Sequence, residues 1–319
     1  MKFFLSSALV SILCGLILLT LPDAKATTLA GLSYTGATNF KSFDLNGTLD
    51  LGKTETWEGI LAYTYTDSTQ GQVTDAQGGE SKSNLFTGGI ANTPDDFQKW
   101  EFDLNYWKDT INDLRYVGPK FSFGYTWLAD EDDDVKPTLF AANVSLEADF
   151  YAATLERDPV TGKVTRKSRL AKATTQTLNF SQIHPTFEIE KPLFDEFVVP
   201  FAEYAHYFYS KKPDDIENSI SKSSLHLSSS FVSGVNGAIG GFLTQSYSLG
   251  FTLNFQTATK LRLEYGRSQS ATDDSWSPAY GATVTQSIGD HVEAKAGWSH
   301  SVQAGVSADY YTGALTYIF

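Results

Sequence analysis

Apolar and polar side chains alternate one by one along much of this chain. In FDLNGTLDL, Phe43, Leu45, Gly47, Leu49 and Leu51 share one parity, and Asp44, Asn46, Thr48 and Asp50 share the other. KWEFDLNY sets Trp100, Phe102, Leu104 and Tyr106 against Lys99, Glu101, Asp103 and Asn105. KLRLEYG and VEAKAGW repeat the device, with Arg262, Glu264, Glu293 and Lys295 on the polar parity. A period of two is how a strand with one apolar face is written. The pattern predicts strands near 28–37, 41–51, 57–67, 84–92, 98–108, 115–128, 139–155, 163–190, 198–209, 243–255, 260–268, 279–287, 292–301 and 308–319. That is an all-β chain of about fourteen strands, with roughly twelve and roughly sixteen as bounds, since residues 222–242 would add two if they paired. From Thr174 to Glu190 the parity changes: Leu178 and Phe180 share one phase, Ile183, Phe187 and Ile189 the other. A bulge near Ser181 would reconcile them.

Alternation alone also fits a soluble sandwich, which buries its apolar face and wets the polar one. Two features favour a closed barrel in a membrane. Five of the six tryptophans (Trp57, Trp100, Trp107, Trp127, Trp298) fall at predicted strand ends, as an interfacial girdle requires, and Trp276 falls in a loop. Alternate connections are also short (GKTET, TPDDF, ADEDDDVKPT, KPLFDEF, QTATK, GDH), while 68–84, 210–242, 268–279 and a hairpin tip near DPVTGK include the long ones. Short turns at one end and long loops at the other are the asymmetry of an antiparallel transmembrane β-barrel, and an even strand count places both termini on the periplasmic side.

The amino end fits export. Residues 1–26 carry an early lysine, an apolar run from Phe3 to Leu21, Pro22, and small residues at Ala24 and Ala26. This reads as a signal peptide cleaved after Ala26, leaving 27–319 as a single barrel domain. Cys14, the only cysteine, leaves with it, so disulfides and thiolate metal sites are excluded from the mature chain. Removing 1–26 takes Lys2 and Lys25 against Asp23 and leaves 22 basic residues against 36 acidic ones. A chain this acidic lacks the basic footprint that nucleic acid needs.

In a barrel the polar parity turns inward, because a Lys or Arg on the lipid face costs ~2 to 4 kcal/mol at mid-plane. The lumen-lining candidates are therefore Asp44, Asp50, Lys99, Glu101, Asp103, Lys120, Glu147, Asp149, Glu188, Glu190, Arg262, Glu264, Glu293 and Lys295. The competing arrangement has these charges pairing across strands and filling the interior. A loop as long as 210–242 is usually functional, and folding into the mouth would narrow the pore. Arg157, Lys163, Arg166, Lys167, Arg169 and Lys172 cluster near an outer hairpin tip, where they would meet lipopolysaccharide phosphates. Asp130 to Asp134 lack the spacing of a calcium loop. No metal site, cofactor or catalytic triad is evident: His184, His206 and His291 show no metal spacing with one another. His226 and Ser228 resemble the His-x-Ser of outer-membrane lipid A deacylases, but Ser229 stands where that pattern has Asn. The chain is therefore expected not to be an enzyme.

The last ten residues, YYTGALTYIF, place Tyr311, Leu315, Tyr317 and the terminal Phe319 on one parity. They resemble the carboxyl-terminal recognition signal of Gram-negative outer-membrane β-barrel proteins. The resemblance implies outer-membrane localisation, contact with outer-membrane lipid and lipopolysaccharide, and insertion by the barrel assembly machinery. The resulting expectation is a porin-like passive channel for small hydrophilic solutes with a mild cation preference. The alternatives are a filled structural or outer-leaflet barrel and, more remotely, a lipid hydrolase.

Overall fold

The computed structural model describes residues 29–37, 40–51, 56–70, 79–95, 97–109, 114–128, 138–157, 164–165, 174–212, 215, 229–230, 238–239, 243–271, 274–303 and 306–319. The signal segment 1–26 lies outside them. Fourteen long strands make one sheet. They are β1 (Leu29–Ala37), β2 (Phe40–Asp50), β3 (Trp57–Gln70), β4 (Gly79–Asp95), β5 (Gln98–Asp109), β6 (Leu114–Leu128) and β7 (Thr138–Arg157). There follow β8 (Thr174–Glu190), β9 (Val198–His206), β10 (Leu243–Phe255), β11 (Thr259–Ser270), β12 (Trp276–Ile288), β13 (Val292–Gln303) and β14 (Val306–Ile318). Each strand pairs antiparallel with its sequence neighbours, and β14 returns to β1 from Leu29↔Ile318 to Gly36↔Tyr311. The sheet has no free edge, which is the one sheet form that can cross a membrane without orphaned backbone groups.

The two-residue pieces Ser229–Ser230 and Ala238–Ile239 pair only with each other, in a separate sheet. They add no wall strand, so the upper bound of the strand count is not reached. The stretch expected to run from 163 to 190 divides into Val164–Thr165, which folds back on Glu156 and Arg157, and β8.

Closure turns the two parities into an outer and an inner face. Leu32, Phe43, Leu61, Phe86, Ile90, Phe102, Leu104, Phe121, Leu146, Phe187, Leu249, Val284 and Leu315 all point outward and are exposed. Thr35, Ser42, Asp103, Ser122, Asp149, Gln182, Ser246, Glu264, Thr283 and Ser299 point inward and are buried. A soluble sandwich has the opposite arrangement. A continuous bare apolar belt of this extent is stable only against a non-aqueous surround.

Three details depart from what the sequence predicts. The β7–β8 register is unbroken from Ala141↔Glu190 through Phe150↔Ser181 to Arg157↔Thr174, so no bulge forms at Ser181. Leu178 and Phe180 stay on the inner face, buried, because that part of the interior is itself apolar. Trp107 likewise faces inward and is 4% exposed, whereas Trp57, Trp100, Trp127 and Trp298 face outward. Trp276 does not sit in a loop but opens β12, with the Arg267 guanidinium 5.0 Å from its ring.

Candidate functional site: the inner face of the barrel

The register places all fourteen lumen candidates on the inward parity. Asp44 and Asp50 stand on β2, Lys99, Glu101 and Asp103 on β5, Lys120 on β6, Glu147 and Asp149 on β7. Glu188 and Glu190 stand on β8, Arg262 and Glu264 on β11, Glu293 and Lys295 on β13. The same face carries Glu58, Glu203, Lys260 and His184, which the sequence reading left out. Glu203 was readable in principle: in VVPFAEYAH it alternates with the outward Tyr204.

Pairing brings several of these together. Asp103, Lys120, Glu147 and His184 are directly opposite one another on successive strands and form one row across β5 to β8. Glu188 faces Glu203. Lys99 and Glu101 approach to 3.7 Å within β5, and Arg262 Nε lies 3.2 Å from Glu264 Oε2 within β11. Arg262 also lies 3.6 Å above the Phe201 ring, two strands away. That reach requires Gly250 on the strand between, since a Cβ there would collide with the Phe201 ring and with the Leu263 carbonyl. Asp44, by contrast, is held by hydroxyls, accepting from Ser33 at 2.6 Å and Ser42 at 3.5 Å.

The interior is divided by sector. On one wall Trp107, Tyr116, Tyr151 and Phe180 pair in succession across β5 to β8, with ring centroids 5.6, 5.1 and 4.5 Å apart. From β10 round to β1 the inner face instead carries small buried hydroxyls, Thr35, Ser246, Ser248, Ser268, Thr283 and Ser299, beside its charged residues. The four rings of the arc are between 4% and 8% exposed, so this wall is covered and not bare. Further along β5 to β8, a cavity of about 410 Å³ is lined by Lys99, Glu101, Lys120, Ser122, Glu188 and Glu190 among others.

The long connection between β9 and β10 first continues the wall, Phe208 and Tyr209 pairing with Ile183 and Gln182 of β8. The Tyr209 hydroxyl donates to the Leu243 carbonyl at 2.8 Å and accepts from the Leu243 amide at 2.9 Å. A register shift between Leu243 and Gln245 rotates Leu243 off the outer face and into a cluster with Ala205, Tyr207 and Ala279. The inward side chains Tyr209 and Leu243, one near each end of the connection, thus meet on the inner face. Deleting residues 216–241 is expected to raise single-channel conductance, measured in planar bilayers; unchanged conductance would show that the loop lies clear of the mouth.

Several sequence candidates fall outside the described residues: Lys163, Arg166, Lys167, Arg169 and Lys172, Asp130 to Asp134, and the His226 and Ser228 pair. Of Arg157 only the backbone is described. At the carboxyl end, Tyr311, Leu315, Tyr317 and Phe319 all lie exposed on the outer face, with the last two rings 4.7 Å apart, edge to face.

No protein-family description matches the chain, and no curated protein matches it in sequence. Solved structures do match. The CymD monoaromatic hydrocarbon channel superposes with a TM-score of 0.53 at 9% identity, over 92% of this chain and 88% of that one. A bacterial polysaccharide outer membrane secretin (TM-score 0.47, 9% identity, 93% of this chain and 100% of that one) and the NanC porin (0.38, 8%, 91% and 98%) match more loosely. At such identity the likeness to CymD shows the fold alone, a closed antiparallel β-barrel.

Proposed function

We propose that the mature chain is a porin-like passive channel of the bacterial outer membrane, admitting small hydrophilic solutes and mildly favouring cations. The carrying observation is the inner face of the closed barrel. Its fourteen candidate charges comprise ten carboxylates against four cations, and charged rims and walls select by electrostatics. A barrel of about this size stands between those filled by side chains and those that hold an aqueous channel. In this reading residues 1–26 are removed on export, both termini lie on the periplasmic side, and the outer belt meets lipid and lipopolysaccharide after insertion by the barrel assembly machinery.

The test is planar-bilayer recording on the purified mature protein under a KCl gradient. The expected result is stepwise conductance with a reversal potential of the sign that marks potassium as the more permeant ion. Chloride preference would overturn the selectivity.

A second reading, a filled barrel without pore activity, is favoured by the covered aromatic arc from Trp107 to Phe180. Stable insertion with no conductance would establish it. Passage of ring-bearing apolar compounds, the activity in CymD's description, would have to run along that same arc, and its burial argues against an open route there.

A further inference from the structure

We infer that Glu147, Asp149 and His184 form a binding site for one divalent transition-metal ion on the inner wall. Glu147 and Asp149 are two apart on β7 and share its inward face, and His184 stands directly opposite Glu147 on β8. One donor atom from each lies within 4.8 Å of the other two. His184 Nε2 is 3.5 Å from Glu147 Oε2 and 3.8 Å from Asp149 Oδ2. Those separations are long for hydrogen bonds. They are close to the spacing of about 3.4 Å that neighbouring ligands take around a four-coordinate ion with bonds of about 2.0 to 2.2 Å.

Independent features point to a ligand. The Asp149 side chain is only 6% exposed, yet its Oδ1 has no hydrogen-bond partner, and its Oδ2 accepts a long bond from Tyr151 at 3.5 Å. A buried carboxylate beside a second carboxylate is costly unless a cation or proton joins them. The surroundings also hold the donors in place. Asn105 donates to Glu147 Oε1 at 3.0 Å, reaching across β6, and is itself fixed by Thr87 at 2.7 Å. Gly118, on the strand between, leaves the space that Asp149 Oδ1 occupies; a Cβ there would collide with it. The His184 ring stacks on Tyr207 at 5.1 Å.

The donor set chooses the metal. Magnesium and calcium take oxygen ligands, whereas two carboxylates with one imidazole suit zinc, iron(II), manganese or nickel. Glu147 and His184 keep 17% and 18% side-chain exposure, so the ion has a route in and room for a water ligand. The inference stands apart from whether solutes pass through the barrel, since binding is read on the isolated protein.

The test is calorimetric titration of the purified, folded barrel in detergent with Zn2+ and, separately, Mg2+. Wild type is expected to bind one Zn2+ per chain and to bind Mg2+ at least ~10-fold more weakly. His184→Ala, Glu147→Gln and Asp149→Asn should each weaken Zn2+ by ~10-fold or more, and Asn105→Leu should cost ~10-fold through the lost support of Glu147. Glu188→Gln, elsewhere on the same face, should change it less than about twofold. Equal affinity for Mg2+, or equal loss in Glu188→Gln, would overturn the site in favour of diffuse attraction by an acidic wall. Because a variant can fail to fold, Co2+ added to wild type gives a second reading: the visible bands of a low-coordinate cobalt site support the inference, and the pale spectrum of hydrated cobalt overturns it.

Discussion

Leu146→Arg is expected to destabilise the folded barrel in lipid by ~2 to 4 kcal/mol, while Ser145→Arg, one residue away, costs under about 1 kcal/mol. The two positions are adjacent near the middle of β7 and differ only in the face they occupy. Leu146 is half exposed on the outer belt between Phe121 of β6 and Pro185 of β8. Ser145 is turned inward between Ser122 and Thr186. An arginine at 146 has no partner in hydrocarbon and must either drag its guanidinium to the interface or thin the bilayer around it. At 145 the same side chain enters an interior that already carries Lys99, Lys120 and Arg262. Denaturant unfolding from vesicles, followed by heat-modifiable electrophoretic mobility, separates the two. Equal cost at both positions would mean that the faces are wrongly assigned.

Removing Phe319 is expected to leave the stability of the refolded barrel within about 0.5 kcal/mol of wild type and to cut the amount assembled in the outer membrane several-fold. The structure explains the first half. Phe319 follows the last paired residue; the ladder ends with Ile318, whose amide donates to the His291 carbonyl at 2.8 Å. Its ring is exposed and touches Tyr317 at the sheet rim, so its loss opens no cavity. The second half rests on the terminus being read during insertion. A stability loss matching the assembly defect would assign Phe319 a packing role, and normal assembly would remove it from the signal. Quantitative immunoblotting of outer-membrane fractions beside in vitro unfolding distinguishes these cases.

The barrel was legible because the chain writes its pleat openly. FDLNGTLDL and KWEFDLNY place a polar or charged side chain on every second residue, and a hydrocarbon surround leaves no second way to orient them. What alternation does not supply is the sign of a face that is apolar on both sides. Trp107, Leu178 and Phe180 read as lipid-facing because they are greasy, yet a wide barrel has interior to fill, and the β5 to β8 wall fills it with rings. Parity is likewise silent on register. Glu147 and Asp149 can be placed on one face from sequence, but that His184, 37 positions after Glu147, lies opposite it follows only from the β7–β8 pairing. Searching histidines against one another therefore missed a site made of one histidine and two carboxylates. The inward turn of Leu243 depends on a single slipped residue in β10, which no periodicity announces.

Every strand but one pair lies beside the strand that precedes or follows it in the chain. The exception is the seam, where Leu29 meets Ile318 and Thr35 Oγ1 meets Thr312 Oγ1 at 2.9 Å. Until that seam zips, thirteen hairpin-joined pairings leave a curled ribbon with two raw backbone edges, both ready to pair with another copy. Its seam joins the first and last strands, β1 and β14, so the ring can shut only after β14 has been made. Leu29 and Ile318 also finish side by side, and the same ring joined there and cut at another turn would have the same wall in a different chain order.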